Sequence, residues 1–466
     1  MESLATIHSV PIGKWNVGGG NAISIQTMMG RGVENEISWR RELEDIAAEG
    51  CHLVRVAIPS ELALQQFQRL RRDLSCDAIA FIGDVHFQGK LAIDALEVCE
   101  KIRINPGNFA SHGARSMAIV DKDTLEGERK RIEKMAKKFF SRARECNCSV
   151  RIGSNGGSLS NHHRMSSASA ELAAIASVLE MVQWAEEVDL KNLVASFKWS
   201  DPISTLLINE MAREKFNSLG KNYPFHLGVT EAGNGLEARI KNAIAVGILL
   251  SKNIGDTLRL SLTEKSVNEI RFAKKLLDFL NRHRLCLEIL KEKSKELLCQ
   301  LKKFSDEHWI DDLQESQSGS YDDEILGLIG QLLSVENANF LPDITTFPPW
   351  KREAVRCLLQ IFRLGRFHGE IIACPTCGRT QYNVAETLDH VRRRFSRLKH
   401  LKIAVMGCVV NGPGEMSDAD YGYIGSANGK VNIYHRGQCV RRGIDEAHAI
   451  DALEEMIRQN GDDCVE

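Results

Sequence analysis

Over the first 265 positions, apolar residues follow two alternating patterns. Runs of five or six at 23–28, 53–57, 80–84, 101–105, 150–154, 193–198, 225–230 and 257–262 have the length and bounding of buried strands. Between most of them, apolar residues recur at three- and four-residue spacing, which predicts helices at 39–49, 61–74, 91–98, 126–145, 170–188, 203–219 and 235–250. Regular strand–helix alternation implies a parallel sheet. Eight units, ending where the pattern stops, favour a TIM-like (β/α)8 barrel over an open doubly wound sheet.

The pattern then changes twice. Residues 266–365 open with helical spacing at 267–281 and 285–303, pass an acidic Ser/Gly-containing linker at 306–324, and return to helix at 324–333 and 350–364. Three prolines between 341 and 350 exclude regular helix there. Residues 366–466 alternate again: strands at 368–373 and 401–406, a hairpin of 420–424 and 430–435 around Ala427-Asn428-Gly429, and helices at 384–398 and 444–457. The expected α/β architecture is a barrel (1–265), a helical insert (266–365) and a small C-terminal α+β domain (366–466). Solenoid repeats and low-complexity tracts are absent.

Composition narrows the class. The chain has 466 residues, enough for two or three domains, and a net charge of −2 with no basic excess that would point to nucleic acid. No apolar run approaches a membrane span, and no basic-then-apolar leader opens the chain. Thirteen cysteines, several in predicted helices, suit a reducing compartment, so a cytoplasmic protein is expected.

Chemistry concentrates at the strand ends. Gln26, Arg55, Asp84, Arg103 with Asn105, Arg151 with Asn155, Lys198 with Ser200, His226 with Thr230 and Glu231, and Arg259 with Ser261 all lie near C-terminal ends of predicted strands. Charge inside a barrel is costly unless it is used, and barrel enzymes bind substrates at this face. Five cations (Arg55, Arg103, Arg151, Lys198, Arg259) therefore predict a pocket for a compact, multiply anionic ligand. Neither GxxxxGK[ST] nor a strand-linked GxGxxG is present, and Gly18-Gly19-Gly20 precedes a strand and reads as a turn. A small diphosphate held by side chains fits. Asp84-Val85-His86 puts two titratable groups on one strand face, either as a metal pair or as a structural hydrogen bond. Glu231 could open a helix, pair with an arginine, or act as an acid/base at the reacting carbon. His162-His163 reads as surface.

Cysteines supply the second chemistry. Cys374-Pro375-Thr376-Cys377 and Cys408 lie in Gly/Pro-punctuated turns, each following an apolar run. CxxC alone could be half a zinc site, a redox dithiol or chance. With Cys408 and Glu415 added, three thiolates and one carboxylate suit an iron–sulfur cluster with one replaceable ligand.

These residues also carry a resemblance. The segment 79–92 with Gly83-Asp84-Val85-His86-Phe87, KIRINPGN at 101–108, VRIGSNGGSL at 150–159, FHLGVTEAG at 225–233, CPTCGRT at 374–380 and AVMGCVVNGPGE at 404–415 resemble the 4-hydroxy-3-methylbut-2-en-1-yl diphosphate synthase family. These are iron–sulfur reductases late in the methylerythritol phosphate route to isoprenoids. The resemblance spans about 7–265 and 366–445. It implies a barrel plus a 4Fe–4S domain, with Cys374, Cys377, Cys408 and Glu415 as cluster ligands and Asn411 over the cluster. It also implies Glu231 as acid/base, with a substrate pocket lined by Arg55, Asp84, His86, Arg103, Asn105, Arg151, Asn155, Lys198, Ser200, His226, Thr230, Arg259 and Ser261. The implied reaction is reductive ring opening of methylerythritol cyclodiphosphate, with electrons from ferredoxin or flavodoxin and closure of the cluster domain over the barrel.

Two stretches depart from the family pattern. Positions 153–157 read Gly-Ser-Asn-Gly-Gly, where many members have Gly-Val-Asn-Ala-Gly, and Phe197-Lys198-Trp199-Ser200 is bulkier than usual. The middle region resembles a shortened insert of the plant and chlamydial three-domain form. That insert would let one chain close on itself, whereas the two-domain form closes across a homodimer. Rival readings are a zinc-holding barrel hydrolase or transferase of the pterin-synthase type and a non-catalytic iron–sulfur sensor.

Overall fold

An N-terminal hairpin of β1 (Val10–Ile12) and β2 (Trp15–Val17) leads into eight parallel strands in the computed structural model. The structure describes residues 6–30, 32–74, 78–85, 88–109, 122–156, 159, 161–304, 321–410, 412–416, 418–427 and 429–464. By its internal contacts the chain forms two units. The first comprises Met1–Trp199, Leu207–Leu227 and Ile254–Arg259, and the second Ser200–Leu206, Gly228–Asn253 and Leu260–Glu466.

The first unit carries the barrel strands: β3 (Ser24–Met28), β4 (Leu53–Ala57), β5 (Ala80–Asp84), β6 (Lys101–Ile104), β7 (Ser149–Asn155), β8 (Leu193–Lys198), β9 (His226–Leu227) and β10 (Thr257–Leu258). Their order is β8-β7-β6-β5-β4-β3-β10-β9, all parallel, and a parallel bridge from Ala195 to Phe225 joins the two ends. Every residue of β5 to β8 is buried, as expected of parallel strands covered on both faces. The helix Glu36–Ala48 buries Trp39, Leu43 and Ile46, and Trp39, Phe67 and Phe81 meet at ring separations of 5.3–6.2 Å. Each such side chain contributes about 1.5–3 kcal/mol on leaving water.

The hairpin closes one mouth of the barrel. Ile12 and Val17 pack on Leu53, Ala80 and Ile82, at or near the beginnings of β4 and β5, and the Ser149 hydroxyl donates to the Pro11 carbonyl. Gly18, Gly19 and Gly20 form the expected turn, all at positive φ; a Cβ on Gly18 would lie 2.4 Å from the His8 carbonyl oxygen. The C-terminal ends of the strands keep the other mouth.

The second unit is built on the helix Gly235–Ser251, which is buried on nearly every side. It packs against the helices Ser266–Leu280, Asp322–Leu333 and Pro349–Ile361. Arg239, fully buried, donates to both oxygens of Glu264 at 2.6 and 3.0 Å and to Asp322 at 2.6 Å, tying the first two turns of that helix to the insert. The C-terminal sheet runs β11 (Glu370–Ala373), β12 (Lys402–Met406), β13 (Tyr421–Gly425), β14 (Lys430–His435) and β15 (Gln438–Asp445); the first three are parallel and the rest antiparallel. Leu388, Val391, Leu453 and Ile457 from the helices Val384–Phe395 and Glu446–Gln459 cover one face.

Several expectations need correction. β9 and β10 are two residues each, because Gly228, at φ +147°, turns the chain out of β9, and β10 ends before Arg259. β15 was not expected: its exposed, arginine-bearing sequence has no apolar alternation, as befits an edge strand. A short helix, Asn161–Ser166, also lacks a periodic signal. His163 is not surface. It is buried, 3.3 Å from Glu180, and held down to about 4 by burial, His162 and Arg129. Most of the expected 306–324 linker lies outside the described residues.

Arg239→Met strands two buried carboxylates and is expected to lower stability by about 3–5 kcal/mol. Arg239→Lys should recover only part, because an ammonium cannot span both partners. Urea unfolding of the three proteins measures this.

Candidate active site

Register brings the barrel charges to one level. Asp84 pairs with Arg103 across β5–β6, and Arg103 with Arg151 across β6–β7. Arg55 Nη2 lies 2.5 Å from Asp84 Oδ1 and Arg103 Nη1 3.9 Å from the same oxygen. Asp84 is thus an arginine partner. His86, its proposed companion, lies outside the described residues. Lys198 and Arg259 are also buried. Asn105 Nδ2 donates to Asn155 Oδ1 at 3.3 Å, and Asn105 Oδ1 accepts from Gly107 N at 2.9 Å, which fixes both amides.

Lys101 was missed as a site residue. It is fully buried one layer below, on the face it shares with Arg103, and donates to Gln26 Oε1 at 3.3 Å. A lysine opening a strand reads as a solvated strand end; the two-residue period from Arg103 was the available signal. Burial, Arg151 and Arg55 hold its ammonium well below the ordinary range. Burial, then Lys198, Arg151, Lys101 and Arg55, keep His226 well below its usual value. His226 Nδ1 lies 3.4 Å from Thr257 Oγ1, whose proton goes to Ser24 O; Nε2, with the Nε atoms of Arg55 and Arg151, is buried without a hydrogen-bond partner among the described residues. The side chains of the barrel interior make an electropositive, donor-rich environment suited to a compact polyanion.

The second unit gathers the cysteines. β11 and β12 pair in parallel with Ala373 opposite Val405, so the Cys374 turn and the Gly407-Cys408 turn leave the sheet side by side. Gly407 N donates to Cys374 Sγ at 3.1 Å and Cys377 N to Thr380 Oγ1 at 3.1 Å. Desolvation, then Glu415, then Cys377 and Cys408 push the Cys374 thiol well above its usual range. Glu415, Cys377 and Cys408 thus lie within electrostatic reach of Cys374, and three thiols with a carboxylate are donor types of a metal–sulfur centre. No three of them have donor atoms all within 4.8 Å of one another. Glu415 ends the short helix Gly412–Glu415, and Asn411 lies outside the described residues.

Glu231 belongs to this same unit. Its backbone is left-handed at φ +50°, a conformation a non-glycine residue adopts only when held there. Ala373 N donates to Glu231 O at 3.2 Å, and Ala232 bridges to Ala373 in parallel. Thr263 Oγ1 donates to Cys374 O at 3.2 Å. Burial and the Glu415 carboxylate raise the Glu231 carboxyl well above its ordinary range, while the Thr230 hydroxyl opposes the rise. Glu231 stands in the short loop before the helix that starts at Gly235, as the sequence pattern predicts. Ser200 and Ser261 are buried in this unit.

The sequence profile of the GcpE TIM-barrel domain matches residues 7–274, and that of the GcpE protein C-terminal domain matches 370–459. The chain belongs to the GcpE family. It is 30% identical over 460 aligned positions to the 4-hydroxy-3-methylbut-2-en-1-yl diphosphate synthase (ferredoxin) of Synechococcus sp. (strain JA-3-3Ab), covering 97% of this chain and 91% of that protein. It is 28% identical to the synthase (flavodoxin) of Akkermansia muciniphila, over 97% of this chain and 96% of that one. Among solved structures, a truncated 3-deoxy-D-arabino-heptulosonate 7-phosphate synthase from Thermotoga maritima aligns at TM-score 0.36 and 12% identity over 60% of this chain and 93% of that one. Neither the zinc-holding hydrolase or transferase nor the inactive sensor finds support among the relatives.

One position in each of the two departures from the GcpE pattern is coupled to the other. A Cβ on Gly156 would lie 2.5 Å from Trp199 Nε1 and 2.8 Å from Cε2. The bulky indole therefore requires glycine where many members have alanine. Gly153 is constrained similarly, with Ser196 Oγ 2.5 Å from the Cβ position. Phe197 carries none of this: it is buried with Phe216 and Phe225.

Gly156→Ala is expected to cost about 1–3 kcal/mol through overpacking, most of it recovered in the double variant with Trp199→Ala; thermal unfolding of the four-protein cycle checks this. Inorganic pyrophosphate should bind the barrel, and Arg151→Met should weaken it about tenfold or more. Lys101 and His226 are depressed by burial and then by neighbouring cations; a bound anion opposes both, so binding takes up protons. Affinity should rise as pH falls, as titration calorimetry at several pH values would measure.

Proposed function

We propose that this chain converts 2-C-methyl-D-erythritol 2,4-cyclodiphosphate to 4-hydroxy-3-methylbut-2-enyl diphosphate in isoprenoid biosynthesis. The reaction takes up two electrons, breaks the ring C–O bond to phosphate and releases a hydroxyl as water. That makes the protein an oxidoreductase acting on CH or CH2 groups, with ferredoxin or flavodoxin as donor. The relatives named for this synthase support the reading. The observation that carries it is the stitch between Glu231 and β11. A strained, buried carboxyl is held beside the cysteine turn within one chain.

Arg55, Arg103, Arg151, Lys198 and Arg259 hold the diphosphate. Asp84 orients Arg55 and Arg103, Asn105 and Asn155 contribute neutral polar contacts, and His226 takes up its proton as the anion binds. His86, Ser200, Thr230, Ser261 and Asn411 complete the binding set that the family resemblance implies. Cys374, Cys377, Cys408 and Glu415 would hold a 4Fe–4S cluster, which when bound supplies single electrons and Lewis acidity. Glu231, kept protonated by burial and by Glu415, donates the proton to the departing hydroxyl, and Thr230 positions it. Residues 1–265, 266–365 and 366–466 serve as substrate barrel, insert and cluster domain. No helix among the described residues is long and apolar enough to cross a membrane, and the twelve described cysteines are free thiols, in keeping with a cytoplasmic setting.

Protein purified without air should contain iron and inorganic sulfide and turn over the cyclodiphosphate with a strong reductant; absence of sulfide or of turnover overturns the reading. Glu231→Gln should keep substrate affinity near that of the parent and lower turnover about a hundredfold or more. Unchanged turnover removes its role as acid.

A further inference from the structure

Away from the cysteine turns, three other donors converge in the second unit. Glu353 and Cys357 lie four residues apart on one face of the helix Pro349–Ile361, and His368 stands two residues before β11. All three are buried, at 0%, 3% and 4% exposure. Cys357 Sγ is 3.5 Å from Glu353 Oε1 and 3.8 Å from His368 Nε2, and that nitrogen is 3.6 Å from Glu353 Oε1.

From these three donors and the small cavity they line, we propose that the protein carries a buried zinc site formed by Glu353, Cys357 and His368, with water as fourth ligand. A tetrahedral ion with Zn–S about 2.3 Å and Zn–N and Zn–O about 2.0–2.1 Å separates S from O by about 3.5 Å, S from N by about 3.6 Å and N from O by about 3.3 Å. The observed triangle agrees to within about 0.3 Å of each. The cavity, about 20 Å³, is also lined by Glu237 and Arg392 and has room for one ion or water.

The surroundings are those of a ligand set. His368 Nδ1 lies 3.1 Å from the Gly369 carbonyl oxygen and 3.3 Å from Gln360 Nε2; in the tautomer with its proton on Nδ1 it donates to that carbonyl and Nε2 presents its lone pair to Sγ and Oε1. Gln360 Oε1 accepts from Phe367 N at 2.7 Å and His368 N at 3.1 Å, and its Nε2 donates to His368 O at 3.1 Å, so the segment before β11 is clamped to the helix. Arg356 Nη1 lies 3.5 Å from Glu353 Oε2, leaving Oε1 for a single ligand bond. Thiolate, carboxylate and neutral imidazole around a dication sum to zero charge, the condition a dry interior favours. Without an ion, burial raises both acids: Glu353 to about 7 and the Cys357 thiol well above its usual range. A zinc ion there would fasten the insert helix to the strand that leads into Cys374.

The test uses cluster-loaded protein grown with zinc, purified without air and washed with a weak chelator. Zinc, iron and sulfide are counted per chain, and zinc X-ray absorption reports its ligands. The expected result is one zinc per chain with one sulfur neighbour. Zinc should fall at least tenfold in both Cys357→Ser and His368→Gln, with iron and sulfide unchanged. No zinc in the parent protein, or zinc with three sulfur neighbours that persists in both variants, overturns the proposal.

Discussion

Positive charge buried inside a closed sheet is the constraint on which the barrel depends. The barrel strands carry Arg55, Lys101, Arg103, Arg151 and Lys198, and Asp84 is the one carboxylate among them. Parallel pairing sets Asp84, Arg103 and Arg151 at one level, so the carboxylate reaches two guanidiniums and the remaining field falls on Lys101 and His226. A packed apolar interior would be more stable. Such water-excluded donors act strongly on an anion, as the proposed substrate binding requires. The hairpin at the opposite mouth seals the end that has no such task.

The second unit applies the same economy to negative charge. Parallel pairing of β11 with β12 delivers two cysteine turns to one edge, and backbone N–H groups already point at sulfur or at the residues that brace it. Glu231 is held by backbone contacts to Ala373, the residue before Cys374, in a conformation its own side chain would not choose. Strain at that one position and support from the neighbouring strand belong together: without the β11 contact the left-handed turn would relax.

The middle segment, 275–369, lies between the two matched family domains and yet carries ordered chemistry. Its helices pack around Gly235–Ser251, and Arg239 joins that helix to Asp322 within it. The Glu353–Cys357–His368 triangle sits where the insert returns to the C-terminal sheet. Each of these buried polar groups costs stability unless partnered.

What the sequence by itself determined was periodicity and punctuation. The eight strand positions, most helices, the Gly18–Gly20 turn and the cysteine turns could be read because each depends on local spacing. Edge strand β15 could not, since exposure on both sides erases apolar alternation, nor could the short reach of β9 and β10, since the chain leaves the sheet at Gly228 and Arg259 for tertiary reasons. Lys101 looked like a strand end until burial placed it beneath Arg103. Gly156 looked like a deviation until Trp199 filled its Cβ position. Glu353, Cys357 and His368 carry no motif, because two lie on a helix and the third arrives from a separate segment. Only folding brings donors so far apart in register within bonding distance of a common point.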